Sequence, residues 1–257
     1  MTTLRRHPVF LWLFAIAAFG LFVRLGVWQL ERRHEKQAML DAVAVVLADR
    51  TPEPLAQRVM DPLPSDAGKV AQQYAWVAGQ GSFLDRPAVL LDNQQRDGRV
   101  GVRAYRAFLP DGAATPVLVE LGWRALPGDR AMPATPRPEG PVRLEGLLLP
   151  PPSPGLAASA VAPQADGTLL ATGLRLQDIA AALDLPTLAP RVLRPDPAQP
   201  LGYARDLDIL PNTLPPEKHL GYAVQWFGLA AAVLVTTLLL AWRARRRRTH
   251  PHDDKTP

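Results

Sequence analysis

The sequence predicts a membrane protein in which two transmembrane helices flank a mainly antiparallel β domain of the α+β class. Two long apolar stretches without acidic residues, one near each end of the 257-residue chain, predict the helices. Between them, short segments of alternating polarity separated by glycine turns predict the sheet, for which a barrel-like closure is one option.

The first predicted helix covers residues 9–30, after a tail of residues 1–8. Its first 15 residues carry no charge, and the long stem of Arg24 lets the guanidinium reach water near the far end. A helix of this length spans about 33 Å, enough for the hydrocarbon core of a bilayer. A cleaved signal peptide is the alternative, since Arg5 and Arg6 precede the apolar run. No small-x-small cleavage pattern follows the run, so we predict a retained anchor.

The second predicted helix covers residues 221–242, contains no charged residue and is followed by five arginines within the tail 243–257. Basic residues concentrate on the cytoplasmic side of membrane proteins, so both termini are predicted to be cytoplasmic and the middle region external. Arg32, Arg33 and Lys36 oppose this assignment, but two glutamates beside them partly cancel their charge.

The net charge of +5 arises in the tails and the first span. Residues 31–218 contain 20 Lys and Arg against 22 Asp and Glu, so this region has no basic excess that would bind nucleic acid. The basic tails instead suit anionic membrane lipid. The chain has no cysteine, which excludes disulfides and thiolate metal sites.

Residues 31–218 are long enough for one domain with its own core. Residues 31–48 are predicted to continue the first helix as a stalk that ends near Thr51, and the stretch from there to Gly68 to be loop. A short helix is predicted at 174–183. Strands are predicted at 74–79, 88–92, 100–109, 116–123 and 142–149, with a further short one at 191–193.

The chain offers little material for catalysis. It contains no nucleophile elbow, phosphate loop or dinucleotide fingerprint, and only His34 and His219 lie on the external side. An enzyme is therefore not expected. His34 lies in the charged stalk, where we interpret it as a solvated helix residue.

Aromatic and polar residues cluster at the external ends of both predicted helices. They are Arg24, Trp28 and Gln29 on the first helix and His219, Tyr222, Gln225 and Trp226 on the second. The residue types alone favour a belt that fixes the depth of the helices at the membrane interface. The alternative is a planar apolar ligand between the helices, with an imidazole as the axial ligand of its metal and Arg24 near its carboxylates.

Several segments resemble motifs of the surfeit-locus protein family, which comprises assembly factors of haem-copper cytochrome c oxidase. They are residues 25–33 together with Lys36, residues 79–83, residues 117–123 and residues 219–230. Leu121 departs from the family pattern, which has arginine before the Gly-Trp pair. This departure puts in doubt any partner contact made at that position.

The resemblance implies a multi-pass protein of the cell inner membrane with a periplasmic middle domain, acting in the biogenesis of complex IV of the respiratory chain. Bacterial relatives bind haem a, and a histidine at the start of the second span, here His219, is implied as the axial ligand of the haem iron. The remaining cluster residues would line the pocket, namely Arg24, Trp28, Gln29, Tyr222, Gln225 and Trp226.

With this resemblance, the expected function changes from a depth-fixing belt to a chaperone that binds haem a transiently and assists its insertion into oxidase subunit I. Subunit I is the expected partner, with haem a synthase as a second candidate, and membrane lipid surrounds the helices. The alternative is a cofactor-free membrane scaffold that stabilises an oxidase assembly intermediate.

Overall fold

The computed structural model describes residues 8–64, 67–128, 130–153, 159–210 and 213–249. Most of the predicted tail of residues 1–8, and the predicted second tail from residue 250 onward, lie outside these residues. The helices are α1 (Pro8–Asp49), α2 (Leu55–Arg58), α3 (Leu176–Ala182) and α4 (Pro216–Thr249), with a 3₁₀ helix at Ala67–Gln73. The strands are β1 (Glu53–Pro54), β2 (Ala75–Phe83), β3 (Val89–Arg96), β4 (Arg99–Pro110), β5 (Val117–Ala125), β6 (Pro141–Leu149), β7 (Val161–Pro163), β8 (Leu169–Ala171) and β9 (Val192–Pro195).

Two long apolar helices, α1 and α4, lie at the ends of the described chain. Segments Phe10–Asp49 and Pro216–Arg246 are long and apolar enough to cross a membrane, with mean hydropathies of 2.1 and 2.0 in their most apolar windows. No helix-breaking proline follows Pro8 within α1, so the helix continues through the charged residues after Leu30, as predicted for the stalk. It ends where Arg50 adopts a left-handed φ of +46° and Pro52 follows.

The chain divides into two compact units. One contains the helical segments up to Gln37 and from Leu214 onward, and the other is Ala38–Thr213. The first unit therefore holds every residue of the predicted cluster at the helix ends. The second unit holds the sheet and the last turns of α1.

Five strands of the sheet form a closed ring. β2 pairs with β6, β6 with β9, β9 with β5, β5 with β4, and β4 pairs back with β2. The sheet therefore closes as a small barrel, the option that the sequence left open. Outside the ring, β3, β8 and β7 continue from β4, and β1 adds to β2. The sheet is mixed, because the pairs β1–β2, β3–β8 and β5–β9 are parallel.

The barrel has an apolar interior and two covered outer faces. Inward-facing residues of alternate positions, such as Val77, Val119 and Leu193, form one buried cluster. Residues of α3 pack on one outer face. On another, Val43 from the end of α1 packs against Trp76. Strand β5 is therefore buried on both faces from Val117 to Trp123.

The five long strand predictions are confirmed by β2 to β6, the helix prediction by α3 and the last short strand by β9. The sequence missed β1, β7 and β8, each of two or three residues, because a periodic pattern needs more positions than these strands contain. It also missed α2, which lies in the stretch predicted to be loop.

Leu121 is fully buried in the barrel interior. It lies at a register shift where β4 positions 104 and 105 oppose β5 positions 122 and 120. The next residue, Gly122, has φ of +121°, and a Cβ there would lie 2.8 Å from the carbonyl oxygen of Ala204, so the bulge requires glycine. In this chain, position 121 therefore serves the core and is not available on the surface.

A buried ionic cluster lies on the outer side of β4, β5 and β9. Arg103 Nη1 donates to Glu120 Oε1 at 2.6 Å, and Arg194 Nη2 donates to Glu120 Oε2 at 2.9 Å. The Tyr105 hydroxyl donates to the same oxygen at 3.3 Å. Burial raises the pKa of Tyr105, and the charge of Glu120 raises it further, so the phenol keeps its proton.

Candidate functional site

His219 lies in the first turn of α4. The turn follows Pro215 and begins with Pro216, and proline suits this position because its missing N–H is not needed there. The N–H of Lys218 donates to the carbonyl of Pro215 at 3.1 Å. The start of α4 is thus well defined, and it places His219 in the first turn. Only 8% of His219 is exposed.

The two long helices contact each other directly beside His219. The rings of Phe22 and Trp226 stack with centroids 5.7 Å apart and planes inclined by 25°. One turn further along α1, Gly26 lies against the ring of Phe227. Close packing of α1 and α4 therefore brings the face that carries Gln29 onto the face that carries His219.

Gln29 and His219 form a buried hydrogen bond of 2.6 Å between Oε1 and Nδ1. An amide oxygen only accepts hydrogen bonds, so Nδ1 carries the proton and donates it. The second nitrogen, Nε2, then has a free lone pair. Nε2 is buried, and among the described residues it has no hydrogen-bond partner. An unpartnered buried acceptor of this kind is costly and needs an explanation, of which a ligand is one.

This arrangement is the one that metal-binding histidines use. Such a histidine donates its other ring N–H to a carbonyl or carboxylate, which fixes the tautomer and makes the free nitrogen a better ligand. Among the described residues, no group of three or more His, Asp or Glu side chains could hold a bare metal ion. A metal that arrives already bound in a macrocycle needs only one axial nitrogen, and a single imidazole suffices for that.

Two cations lie close enough to act electrostatically on the His219 imidazole. They are Lys36 and Arg32, both on α1. The Lys36 ammonium donates to the carbonyl of Leu214, and Arg32 forms an exposed ion pair of 2.7 Å with Glu35. Glu35 partly neutralises Arg32, so Lys36 is the cation on this side of the helix pair that best suits a ligand carrying carboxylates.

The structure divides the seven predicted site residues into groups. His219 and Gln29 are in contact, and Trp226 packs on Phe22. Arg24 and Trp28 instead line a groove of about 630 Å³ along a neighbouring face of α1. Tyr222 is 44% exposed, and Gln225 is also exposed.

Sequence reasoning missed the role of two residues, Phe22 and Gly26. Both lie in the contact between the helices, and Gly26 makes the close approach possible. A glycine within an apolar helix was the available signal, since small residues allow helix backbones to come close in membranes. His34, interpreted as a solvated residue, is exposed on α1.

These features define a class of protein. In the sequence, a small mixed barrel lies between two long apolar helices, and a buried histidine lies in the first turn of the second helix. Residues 16–231 match the family model of the SURF1 family, and the chain belongs to this family. The family is associated with the assembly of cytochrome c oxidase and is not a known enzyme family. A comparison with individually curated proteins finds no match.

Proposed function

We propose that the protein is an inner-membrane assembly factor that binds haem a as cargo through His219 and assists its transfer to oxidase subunit I. Helices α1 and α4 cross the membrane, both termini are cytoplasmic, and the barrel lies in the periplasm. Family membership supports the role in oxidase assembly. The length and hydropathy of the two helices, with the arginine run after residue 242, support the topology.

The observation that carries the haem proposal is the state of the His219 ring. Its Nδ1 is held by Gln29, while its Nε2 is buried without a partner among the described residues. The tautomer required for an axial ligand is therefore set before any ligand arrives. Haem a supplies an iron that accepts this nitrogen, and carboxylates that pair with cations.

Residues around the imidazole suit the two ends of such a cargo. The charges of Lys36 and Arg32 act on the ring, and these two side chains would pair with the carboxylates of the haem. The apolar side chains of the helix contact would keep water from the iron. Because Nε2 is covered, loading requires side chains near the first turn of α4 to move. Trp28, Tyr222 and Gln225 are exposed, so their side chains are free to move and contact the porphyrin during loading.

A cofactor-free scaffold is the second candidate function, and one observation favours it. The rings of Phe22 and Trp226 already stack on each other, and Phe227 fills the space over Gly26. Such a filled contact holds two helices together without any ligand. In this case the helix pair would stabilise an assembly intermediate through protein contacts alone.

The two candidates differ in haem content. The full-length protein would be purified in detergent from cells that produce haem a, and its haem measured by optical spectrum and pyridine haemochrome. We expect bound haem a in the wild type and its loss in His219→Ala. The matched control is His34→Ala, which removes an exposed imidazole from α1 and should leave the haem content unchanged. A wild type without haem supports the scaffold, and a His219→Ala protein with full haem excludes this ligand.

The topology has a separate test, because the chain has no cysteine and thus no labelling background. Asp111→Cys lies in an exposed turn of the barrel, and Lys255→Cys lies in the tail after the arginine run. A membrane-impermeant thiol reagent should label the first variant in cells with a permeabilised outer membrane. It should label the second only after the inner membrane is opened. The reverse pattern would contradict the proposed orientation.

A further inference from the structure

A second groove lies between α1 and α4, in the part of the helix pair formed by the beginning of α1 and the end of α4. Its volume is about 550 Å³, and its walls are almost entirely apolar. Small side chains, including Ala15 from α1 and Ala241 and Ala244 from α4, leave the space, while Trp12 closes one wall. His219 and Gln29 are not among its lining residues, and Phe22 is the residue that this groove shares with the helix contact beside them.

The groove ends in a strongly basic segment. Ala244, its last lining residue on α4, lies between Arg243 and Arg245. The guanidinium of Arg246 lies 3.9 Å from the ring centroid of Trp242. The sequence of α4 carries no acidic residue after Glu217. An apolar channel therefore meets a concentration of positive charge at the end of α4.

We propose that this groove binds an anionic phospholipid of the cytoplasmic leaflet. One acyl chain would lie in the groove between Ala15 and Ala241, and the phosphate would lie against Arg243 and Arg245. The proposal rests on the membrane insertion of α1 and α4 that is part of the proposed function, and it does not depend on haem.

Charge complementarity favours this occupant over a helix of another protein. A phospholipid combines a flexible apolar chain with a phosphate at one end, which matches an apolar groove that ends in arginines. A partner helix would need acidic residues placed just beyond its apolar span to pair with the same arginines. Arginine forks also bind phosphate with two parallel hydrogen bonds, which lysine cannot provide.

The test measures lipid binding on haem-free protein, so its result is independent of the haem proposal. Full-length protein from cells without haem a synthesis would be delipidated in detergent and titrated with phosphatidylglycerol or phosphatidylcholine. Bound lipid would be counted by native mass spectrometry, and the thermal midpoint followed in parallel. We expect tighter binding of phosphatidylglycerol and a rise of the midpoint that saturates at one lipid.

Two variants separate the headgroup from the chain. Arg243→Gln combined with Arg245→Gln should weaken phosphatidylglycerol binding by roughly 25-fold, at about fivefold for each basic residue near the headgroup. Ala15→Leu combined with Ala241→Leu fills the groove without changing the charge and should abolish the saturable site. The control is Arg99→Gln with Arg143→Gln, the same loss of charge on exposed strand positions, and should bind like the wild type.

Three results would overturn the proposal. The first is equal affinity of the wild type for both lipids. The second is a groove-filled variant that still binds phosphatidylglycerol like the wild type, because the lipid would then be held by surface charge alone. The third is a groove-filled variant that also loses co-purification with oxidase subunit I while it still binds phosphatidylglycerol. In that case the groove would be the binding site of a partner helix.

Discussion

Gly26 of α1 and Phe227 of α4 lie so close together that a Cβ atom at position 26 would be 2.7 Å from two ring carbons of Phe227. The Phe227 ring can therefore lie where it does only because residue 26 has no side chain. Gln29 follows Gly26 by three positions on the same face of α1. The packing of Phe227 on Gly26 thus lies one helical turn from the hydrogen bond between Gln29 and His219.

Replacing Gly26 by alanine should push the helices apart and weaken the hydrogen bond between Gln29 and His219. Overpacking of this kind costs about 1–3 kcal/mol, so the thermal midpoint should fall. If haem binds at His219, its occupancy should fall with it. Thermal unfolding and haem content of the detergent-purified variant measure both effects.

Two companion variants make the prediction for Gly26 specific. Gly20→Ala adds the same methyl group to the same helix, where a Cβ meets nothing within 4 Å, and should be neutral. Phe227→Leu should restore much of the stability of Gly26→Ala, because it removes the ring that the methyl group strikes. If Gly20→Ala and Gly26→Ala behave alike, close helix packing at this point is not what positions the site.

Replacing Gln29 by leucine should weaken haem binding without abolishing it. The imidazole would lose the acceptor that fixes its Nδ1 proton, and losses of such supporting contacts typically cost 10–100-fold in metal affinity. Gln29→Glu should retain binding and shift the reduction potential downward, because an anionic acceptor makes Nε2 a stronger donor. Titration with haem and redox potentiometry measure these two effects.

Gln80→Leu is the control for Gln29, since it removes an exposed amide from strand β2 of the barrel. It should leave both the haem affinity and the potential close to those of the wild type. Equal losses in the two leucine variants would mean that the effect at position 29 does not come from the contact with the imidazole.

The long strands could be predicted from the sequence because each shows its own alternation and its own turns. Closure of the barrel could not, because it depends on the parallel pair β5–β9 and on β4 returning to β2. Position 118 pairs with position 192 across more than 70 residues of intervening chain. No local pattern encodes a pairing at that separation.

The site could be predicted in part. Both His219 and Gln29 were named from the sequence, because both were expected at the same depth in the membrane. Their direct contact depends on helix rotation, which Gly26 sets and which residue types alone do not encode. Trp28, one position before Gln29, is turned by about 100° around α1 and lines another groove. The sequence prediction therefore placed Trp28 and Gln29 in one site because they are adjacent in the chain, whereas they lie on different faces of α1.

Replacing Glu120 by glutamine should destabilise the barrel strongly. Glu120 is almost fully buried and is the carboxylate that binds both Arg103 and Arg194. Removing one partner of a buried ion pair leaves uncompensated charge and typically costs about 3–5 kcal/mol. Chemical unfolding of the full chain, followed by circular dichroism, measures the change in the free energy of unfolding.

Glu139→Gln is the control for Glu120, because it removes an exposed carboxylate and should change stability by less than about 0.5 kcal/mol. A triple variant, Glu120→Leu with Arg103→Met and Arg194→Met, should recover much of the loss, since no charge remains buried. A Glu120→Gln protein as stable as the control would show that water reaches the two guanidinium groups.

Tyr105 should make the barrel less stable at high pH. Burial, together with the charge of Glu120, raises its pKa in the folded protein far above the value near 10 of an unfolded chain. Below about pH 10 both states keep the phenol proton, and the stabilisation from this group is fully present. As the pH rises further, only the unfolded state loses the proton, so the free energy of unfolding falls. Tyr105→Phe should flatten this fall above about pH 10 when unfolding is measured at fixed denaturant. Parallel pH profiles for the variant and the wild type would mean that the hydroxyl is solvated in the folded protein, contrary to its burial against Glu120.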